Sequence, residues 1–516
     1  MMKLWKKAGL VLGALALATG LSACNSKSSA ANKDLTVWSV FAAPSTTVKS
    51  WHQSPFHTGL AKATGVNVNW KWPAEGADQG QAFNLMTTQK QLPDIIWYQL
   101  MDKSEQYMKQ GIIRDMTKEL PKKAPHYWKF LQDHPEYAKA MRTDDGKYYM
   151  FGFFREKPEQ ATWAGPSIRK DWLDAQHLSM PTNIAEWTHV MEVFNKVYGA
   201  KMAYTGDWFN TIMFAGAFGA HAAFAPNYYV DNGKVKFALT QPEWKNYMAW
   251  MHSLYTKGLI DPDVATLDAQ GMQNKVAKNK VGIVFGSTST IDTYNTAAQQ
   301  AKSKAHWVAA PYPNQADGKA PSAIFSEAMY VNGGAGISPD VSGKKLDEAY
   351  KWLDFPFTKK GNEYWNYGPE GTSWTMKNGV PTFTDKVTKS KLGMATAITL
   401  YSGNLGYGLG VQDLNLNKQR QSPDAFNASK TWYANNSEAQ KEAYPTGVSM
   451  TDAESKEAAT ISNTLNTYVQ EHCLKFLNGK LSLDKDYDSF VAGMKKQGLD
   501  RLTKIKQDAY DRYEKR

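Results

Sequence analysis

The sequence predicts a two-lobed α/β protein with a helical C-terminal region, on three observations. From Asp34 onward, strand-like and helix-like stretches alternate over about seventy residues, the signature of a parallel sheet with right-handed crossovers. The chain of 516 residues is too long for one simple core. The last third carries mainly helical spacing. These place a first lobe at 34–150, completed by a return near 280–340, and a second lobe at 151–279. A helical segment, 341–516, then completes the second lobe and packs across both.

The N-terminus reads first as an address. Lys3, Lys6 and Lys7 precede an apolar run from Ala8 to Gly20, the layout of a bacterial secretion signal over residues 1–23. The run is too short to cross a bilayer, which takes about 20 apolar residues. Leu21-Ser22-Ala23-Cys24 resembles the lipobox of bacterial lipoproteins. That resemblance implies cleavage before Cys24 and acylation of its thiol by palmitate-type chains, two or more of which anchor a protein stably. Residues 24–33, rich in Ser, Ala, Asn and Lys, form a flexible tether.

Asp34 to Phe41 reads as the first strand. Val66 to Trp72 alternates apolar and polar, marking a half-buried strand. Gln79 to Gln89 is helical in composition, and Pro93 to Tyr98 is a short apolar strand. In such sheets ligands gather beyond the carboxyl ends of the strands, which points at Phe41 to Thr47 and Tyr98 to Lys103. After the Asp145-Gly146-Lys147 turn, Tyr148-Tyr149-Met150-Phe151 opens a strand that ends in Phe154 to Pro158, and Glu186 to Tyr198 is helical. Trp208 to Ala220 reads as a small-residue helix, and Asn232-Gly233 as a hairpin turn. Trp244, Tyr247, Met248, Met251, Leu254 and Tyr255 make a helical core stripe that Gly258 stops. Lys280 to Phe285 is a buried strand, expected to rejoin the first lobe, and leads into the hydroxyl-rich Gly286 to Thr290. Gly406 to Gly410 reads as a loop. Thr451 and Glu454 form a capping box that opens a helix reaching Leu477. Asp484 to Gln497 and Leu499 to Tyr513 follow as amphipathic helices.

The net charge is +11, and the signal's three lysines contribute part of it. No dense basic block or nucleic-acid motif accompanies it, so nucleic acid is not an expected partner. With Cys24 lipidated, Cys473 has no partner and falls on a core stripe with Ile461, Leu465, Val469 and Leu477. The chain carries 18 Trp, 26 Tyr and 21 Phe. Such rings fill cores, and they also stack on the C–H faces of sugars.

P-loop, nucleophile-elbow, His-Glu-x-x-His and paired Cys-x-x-Cys motifs are lacking, so ATP use, serine hydrolysis and zinc chemistry have no signature here. No cofactor and no metal are expected. Asp207, Glu327 and Glu370 sit near aromatics. Two carboxylates suffice for glycoside hydrolysis, which keeps open a cell-surface glycosidase or lyase; an adhesin or assembly lipoprotein is a further alternative.

Several stretches then converge. Leu92-Pro93-Asp94-Ile95-Ile96-Trp97, Asp145 to Tyr149, Ile168 to Leu173, Gly258 to Asp263, Tyr367 to Gly371 and the C-terminal run from Leu477 to Tyr513 together resemble bacterial extracellular solute-binding proteins of family 1. The resemblance is strongest to the large lipoproteins that serve sugar ABC importers. It implies a periplasmic-binding-protein-like clamp, type II in style, that closes on an oligosaccharide, performs no catalysis and works as a monomer. The partners implied are ABC permease subunits and, through Cys24, the membrane, on a Gram-positive-type surface rather than in a periplasm. Relatives often carry a calcium loop after the helix following Arg169-Lys170-Asp171-Trp172. Here Tyr198 to Asp207 offers one carboxylate, whereas calcium takes six to eight oxygens. Position after predicted strands and the aromatic excess select Trp38, Trp163, Trp208 and Trp374 as stacking faces, with Arg155, Asp207, Glu327 and Glu370 as hydrogen-bonding partners.

Overall fold

The computed structural model describes residues 34–41, 53–74, 76–205, 211–436 and 439–516. In chain order the strands are β1 (Leu35–Ser39), β2 (Val68–Lys71), β3 (Ile95–Gln99), β4 (Phe151–Arg155), β5 (Ala164–Arg169), β6 (Lys201–Ala203), β7 (Tyr228–Asp231), β8 (Lys234–Phe237), β9 (Val281–Ser287), β10 (Trp307–Ala309), β11 (Tyr330–Ile337), β12 (Trp374–Lys377), β13 (Val380–Phe383) and β14 (Gly410–Gln412).

Two sheets found the two lobes. The first has the order β14-β4-β11-β3-β1-β2. In it β1 runs parallel to β2 and β3, with Trp38 opposite Ile96, and β11 runs antiparallel to β3 and β4. Its start is pinned by Asp94, whose Oδ2 accepts from Thr36 N (2.7 Å), Thr36 Oγ1 (2.8 Å) and Lys345 Nζ (2.9 Å). The second sheet has the order β10-β5-β9-β6, with β5 antiparallel to both neighbours. Each sheet has its own apolar core. Burying such faces is the main favourable term in folding.

Most of the tryptophan excess is core. Trp187, Trp244, Trp307, Trp352, Trp365 and Trp432 are among the largest fully buried side chains. Cys473 is fully buried in the second core, with Leu465 and Val469.

Local signals placed most elements. Asn232 and Gly233 both take positive φ (49° and 79°) in the tight β7–β8 turn, as a two-residue hairpin requires. The helix Asp452–Leu477 opens with the Thr451/Glu454 capping box. Four expectations need correction. The 280–285 strand is β9, which pairs with β5 and β6 inside the second sheet; the return to the first sheet is made by β11. The strand expected from Tyr148 starts three residues later, at Phe151, and ends at Arg155. Of the stretch expected as a small-residue helix, the described part, 211–220, holds one 3-10 turn, Ala215–Phe218; Gly216 lies so close to the Ala323 carbonyl that a Cβ there would sit 2.0 Å from it. Finally, the segment from 343 to 367 does not complete the second lobe, because Leu346, Tyr350, Trp352, Leu353 and Trp365 fill the first core. Helices from Pro423 onward do join the second, through Trp432, Leu465 and Ile505.

The chain therefore passes between lobes after β4, before β11 and after β14. These three crossings lie side by side. Glu156 N donates to Gln412 O (3.2 Å), Leu414 N to Glu156 Oε2 (2.7 Å), Arg155 N to Met329 O (2.8 Å) and Glu327 N to Ala161 O (3.0 Å).

Candidate functional site

A cleft of about 660 Å³ opens where the crossings meet, within the ~300–1,000 Å³ range of small-molecule sites. The ends of β4 and β14 supply Phe153, Arg155 and Gln412, and the residue before β5 supplies Trp163. The hydroxyl-rich end of β9 and the helix after it supply Ser287, Ser289, Asp292 and Thr293. Sequence makes that corner polar because Ser287 must cap the helix Thr288–Gln300. Ser287 N donates to Thr290 Oγ1 (3.2 Å), and Ser287 Oγ lies 2.7 Å from Ser289 Oγ.

Arg155 and Glu327 form the charged centre. The arginine side chain is 7% exposed, its Nη1 donates to Ala328 O at 2.5 Å, and its Nη2 pairs with Glu327 Oε2. A pre-paired, nearly buried guanidinium and a half-exposed carboxylate present fixed donors and acceptors to vicinal hydroxyls.

Aromatic surface comes from both walls. On the second lobe, Trp163 is half-buried and held edge-on by Phe325 (4.9 Å between centroids). On the first, Tyr407 is 45% exposed and stacks on Phe41 (4.4 Å, 12°). Phe41 continues to Tyr98 (6.5 Å, 19°), and Tyr98 to Phe83 (4.1 Å, 11°). This row of near-parallel rings covers the carboxyl edge of β1 and β3. Gly333 makes room for it, since a Cβ there would lie 3.0 Å from Phe41. Burial and the Glu327 charge push the Tyr407 hydroxyl pKa up, against the opposing pull of Arg155. Across the cleft, Arg420 Nε donates to Asn417 Oδ1 (3.0 Å); burial lowers the guanidinium's pKa while Asp292 opposes that shift.

Of the residues selected from sequence, the structure brings Arg155, Trp163 and Glu327 together in the cleft. Asp207, Trp208 and Cys24 lie outside the described residues. Two tryptophans need correction. Trp38 is 5% exposed, packed in the first core against Phe83 and Tyr98. Trp374 is 2% exposed, packed with Tyr367 and Phe383, and its indole N–H donates to Gly368 O (2.8 Å). Neither offers a face to a ligand. Glu370 is exposed beside Trp374 and does not line the cleft. Sequence reasoning missed Tyr407, Gln412 and Arg420; an aromatic flanked by glycines in the 406–410 loop was the available signal for the first. Among the described residues, no three His, Cys, Asp or Glu side chains converge as a metal would require.

The profile of bacterial extracellular solute-binding proteins matches residues 43–363, well over half of the chain. The chain belongs to this family. Membership makes it a binder of solutes, and the paired-carboxylate enzyme reading of Glu327 falls away with it. This solute-binding protein is 23% identical to FusA, a fructooligosaccharide ABC transporter substrate-binding protein of Streptococcus pneumoniae, over 99% of this chain and 98% of FusA. Its fold is that of the alginate-binding protein AlgQ2, solved without calcium ion (TM-score 0.72, 23% identity, 93% of this chain and 98% of that one). An ABC-transporter-associated solute-binding protein of Bifidobacterium longum infantis that binds HMO shares it too (TM-score 0.75, 19% identity, 93% and 99%).

Proposed function

We propose that this solute-binding protein is the oligosaccharide receptor of an ABC importer, anchored through Cys24 to the outer face of a Gram-positive-type membrane and acting as a monomer. The carrying observation is the cleft, where Trp163 and Tyr407 offer ring faces from opposite lobes around the Arg155–Glu327 pair. Flat aromatic surface flanking fixed polar groups suits a hydroxyl-rich ring. The sugar-binding names of FusA, AlgQ2 and the Bifidobacterium protein support the same class. The anchor rests on Leu21-Ser22-Ala23-Cys24. Ligand gripped by both walls favours the closed form only by its differential affinity for that form, and the closed form is what the permease receives.

The test is a thermal-shift and calorimetry screen of residues 25–516 against fructo-, manno-, gluco- and galacto-oligosaccharides. A true ligand at about a hundred times its dissociation constant adds about 2.7 kcal/mol of stability and is recovered unchanged by chromatography. Sugar cleavage, or no shift across the panel, sinks the reading.

A further inference from the structure

Segment 323–327 is a wall with a hollow on each side. Glu327 faces the cleft, while Ala323, Ile324 and Ser326 line a second hollow of about 460 Å³ that shares no lining residue with the first. The wall is braced from both directions. Phe325 meets Trp163, and Ser326 Oγ accepts from Thr162 Oγ1 (3.0 Å) and Gln440 Nε2 (2.6 Å). The other sides of the second hollow are the β7–β8 hairpin, the 439–444 segment and the helices Asp452–Leu477 and Leu499–Glu514.

The two hollows differ in charge. In the cleft, Arg155 and Arg420 are balanced by Glu327 and Asp292. Among the described residues that line the second hollow, Lys506 has no carboxylate beside it. His221, also in its lining, has its pKa pushed down to about 4 by burial against the pull of Asp231, and its Nε2 lies 3.0 Å from Glu442 Oε2. Lys506 Nζ sits over the rings of Tyr228 and Tyr444, 5.7 and 5.0 Å from their centroids. Burial lowers its pKa against the pull of Asp102, which accepts from Asn332 Nδ2 (2.9 Å). The two tyrosine rings attract the ammonium without neutralising its charge.

We infer that this hollow is a second binding site, taking a carboxylate-bearing sugar unit such as a uronic acid, with its carboxylate on Lys506 Nζ and its hydroxyls on Asn227, Gln440 and Asn466. One point charge suits a monoanion; a phosphate dianion asks for a planar fork or further donors. The side-chain amides and tyrosines are what a hydroxylated ring uses and a simple fatty carboxylate does not.

Saturation-transfer NMR on the mature chain tests it, with D-glucuronate and D-galacturonate against glucose and galactose. The uronates are expected to bind roughly 10- to 100-fold more tightly than the neutral hexoses and to weaken with added salt. Lys506→Gln should remove that preference, and Lys506→Arg should keep it. Equal binding of acidic and neutral sugars by the unmodified protein overturns the inference without need of any variant. Retention of the preference in Lys506→Gln does the same. None of these results bears on neutral oligosaccharides in the cleft, so the two readings fail separately.

Discussion

Arg155 finds its partner in a nearly closed environment by pairing with Glu327. Glu327→Gln removes the counter-charge and leaves the guanidinium partly unsatisfied, so urea unfolding should show a loss of about 1–3 kcal/mol, along with weakened oligosaccharide binding. Trp163→Ala removes the second-lobe ring face and should cost about tenfold or more in oligosaccharide affinity by calorimetry. The residues that made the family legible serve architecture instead. Arg169 grips Asp171 with both Nε and Nη2 (2.7 and 2.6 Å) while its guanidinium lies 4.0 Å from the Trp172 ring centroid. Asp94 ties β1 to β3, and Asp261 holds Lys275 (2.6 Å). Motif residues could be read in one dimension because each anchors a local turn or strand start. Site residues could not: Trp38 and Trp163 look alike in sequence, and only the packing of Phe83 and Tyr98 over one of them decides which reaches the cleft.

At the scale of elements, caps, glycine stops and alternation located most helices and strands, since those signals act within a few residues. Assigning β9 to a sheet was beyond them, because pairing with β5 depends on a strand more than a hundred residues away. That contact is tight elsewhere too. The helix Pro423–Tyr433 lays Trp432 over β5, its indole N–H donating to Pro166 O (2.9 Å), and a Cβ on Gly165 would sit 2.5 Å from its ring. Gly165→Ala should therefore destabilise by about 1–3 kcal/mol through overpacking, read as a lowered unfolding midpoint. The long helix Asp452–Leu477 has an acid-sensitive start. Burial pushes the Glu454 pKa up, but Arg512 and the Thr451 cap outweigh it, and the net shift is downward. A depressed carboxylate contributes stability that is present above its unfolded-state pKa and fades as pH falls through the folded one. Glu454→Gln should accordingly narrow the stability difference between neutral and mildly acidic pH in denaturant titrations.

Across the whole molecule, the last helix joins both lobes. Leu502 and Ile505 sit in the second core, while Arg512 and Arg516 both reach Asp144 (2.9 and 2.7 Å), in the turn before β4. The Arg516 side chain is 1% exposed and also donates to Arg142 O (2.6 Å) and Ser449 Oγ (2.6 Å). Arg516→Ala should cost about 2–3 kcal/mol in chemical denaturation and loosen the relation between lobes. X-ray scattering should record a smaller radius of gyration when a cleft ligand is added. The three hydrogen-bonded crossings give that closure a particular character. Like the knuckles of a door hinge, they would permit swinging and resist shear or spin, so that on closure Arg155 and Gln412 at the spine should travel least and the outer rim furthest. A short guest touching only the spine would find its contacts ready-made, whereas a longer one completes its grip as the rim arrives. Residence time should thus lengthen with chain length more steeply than arrival rate does.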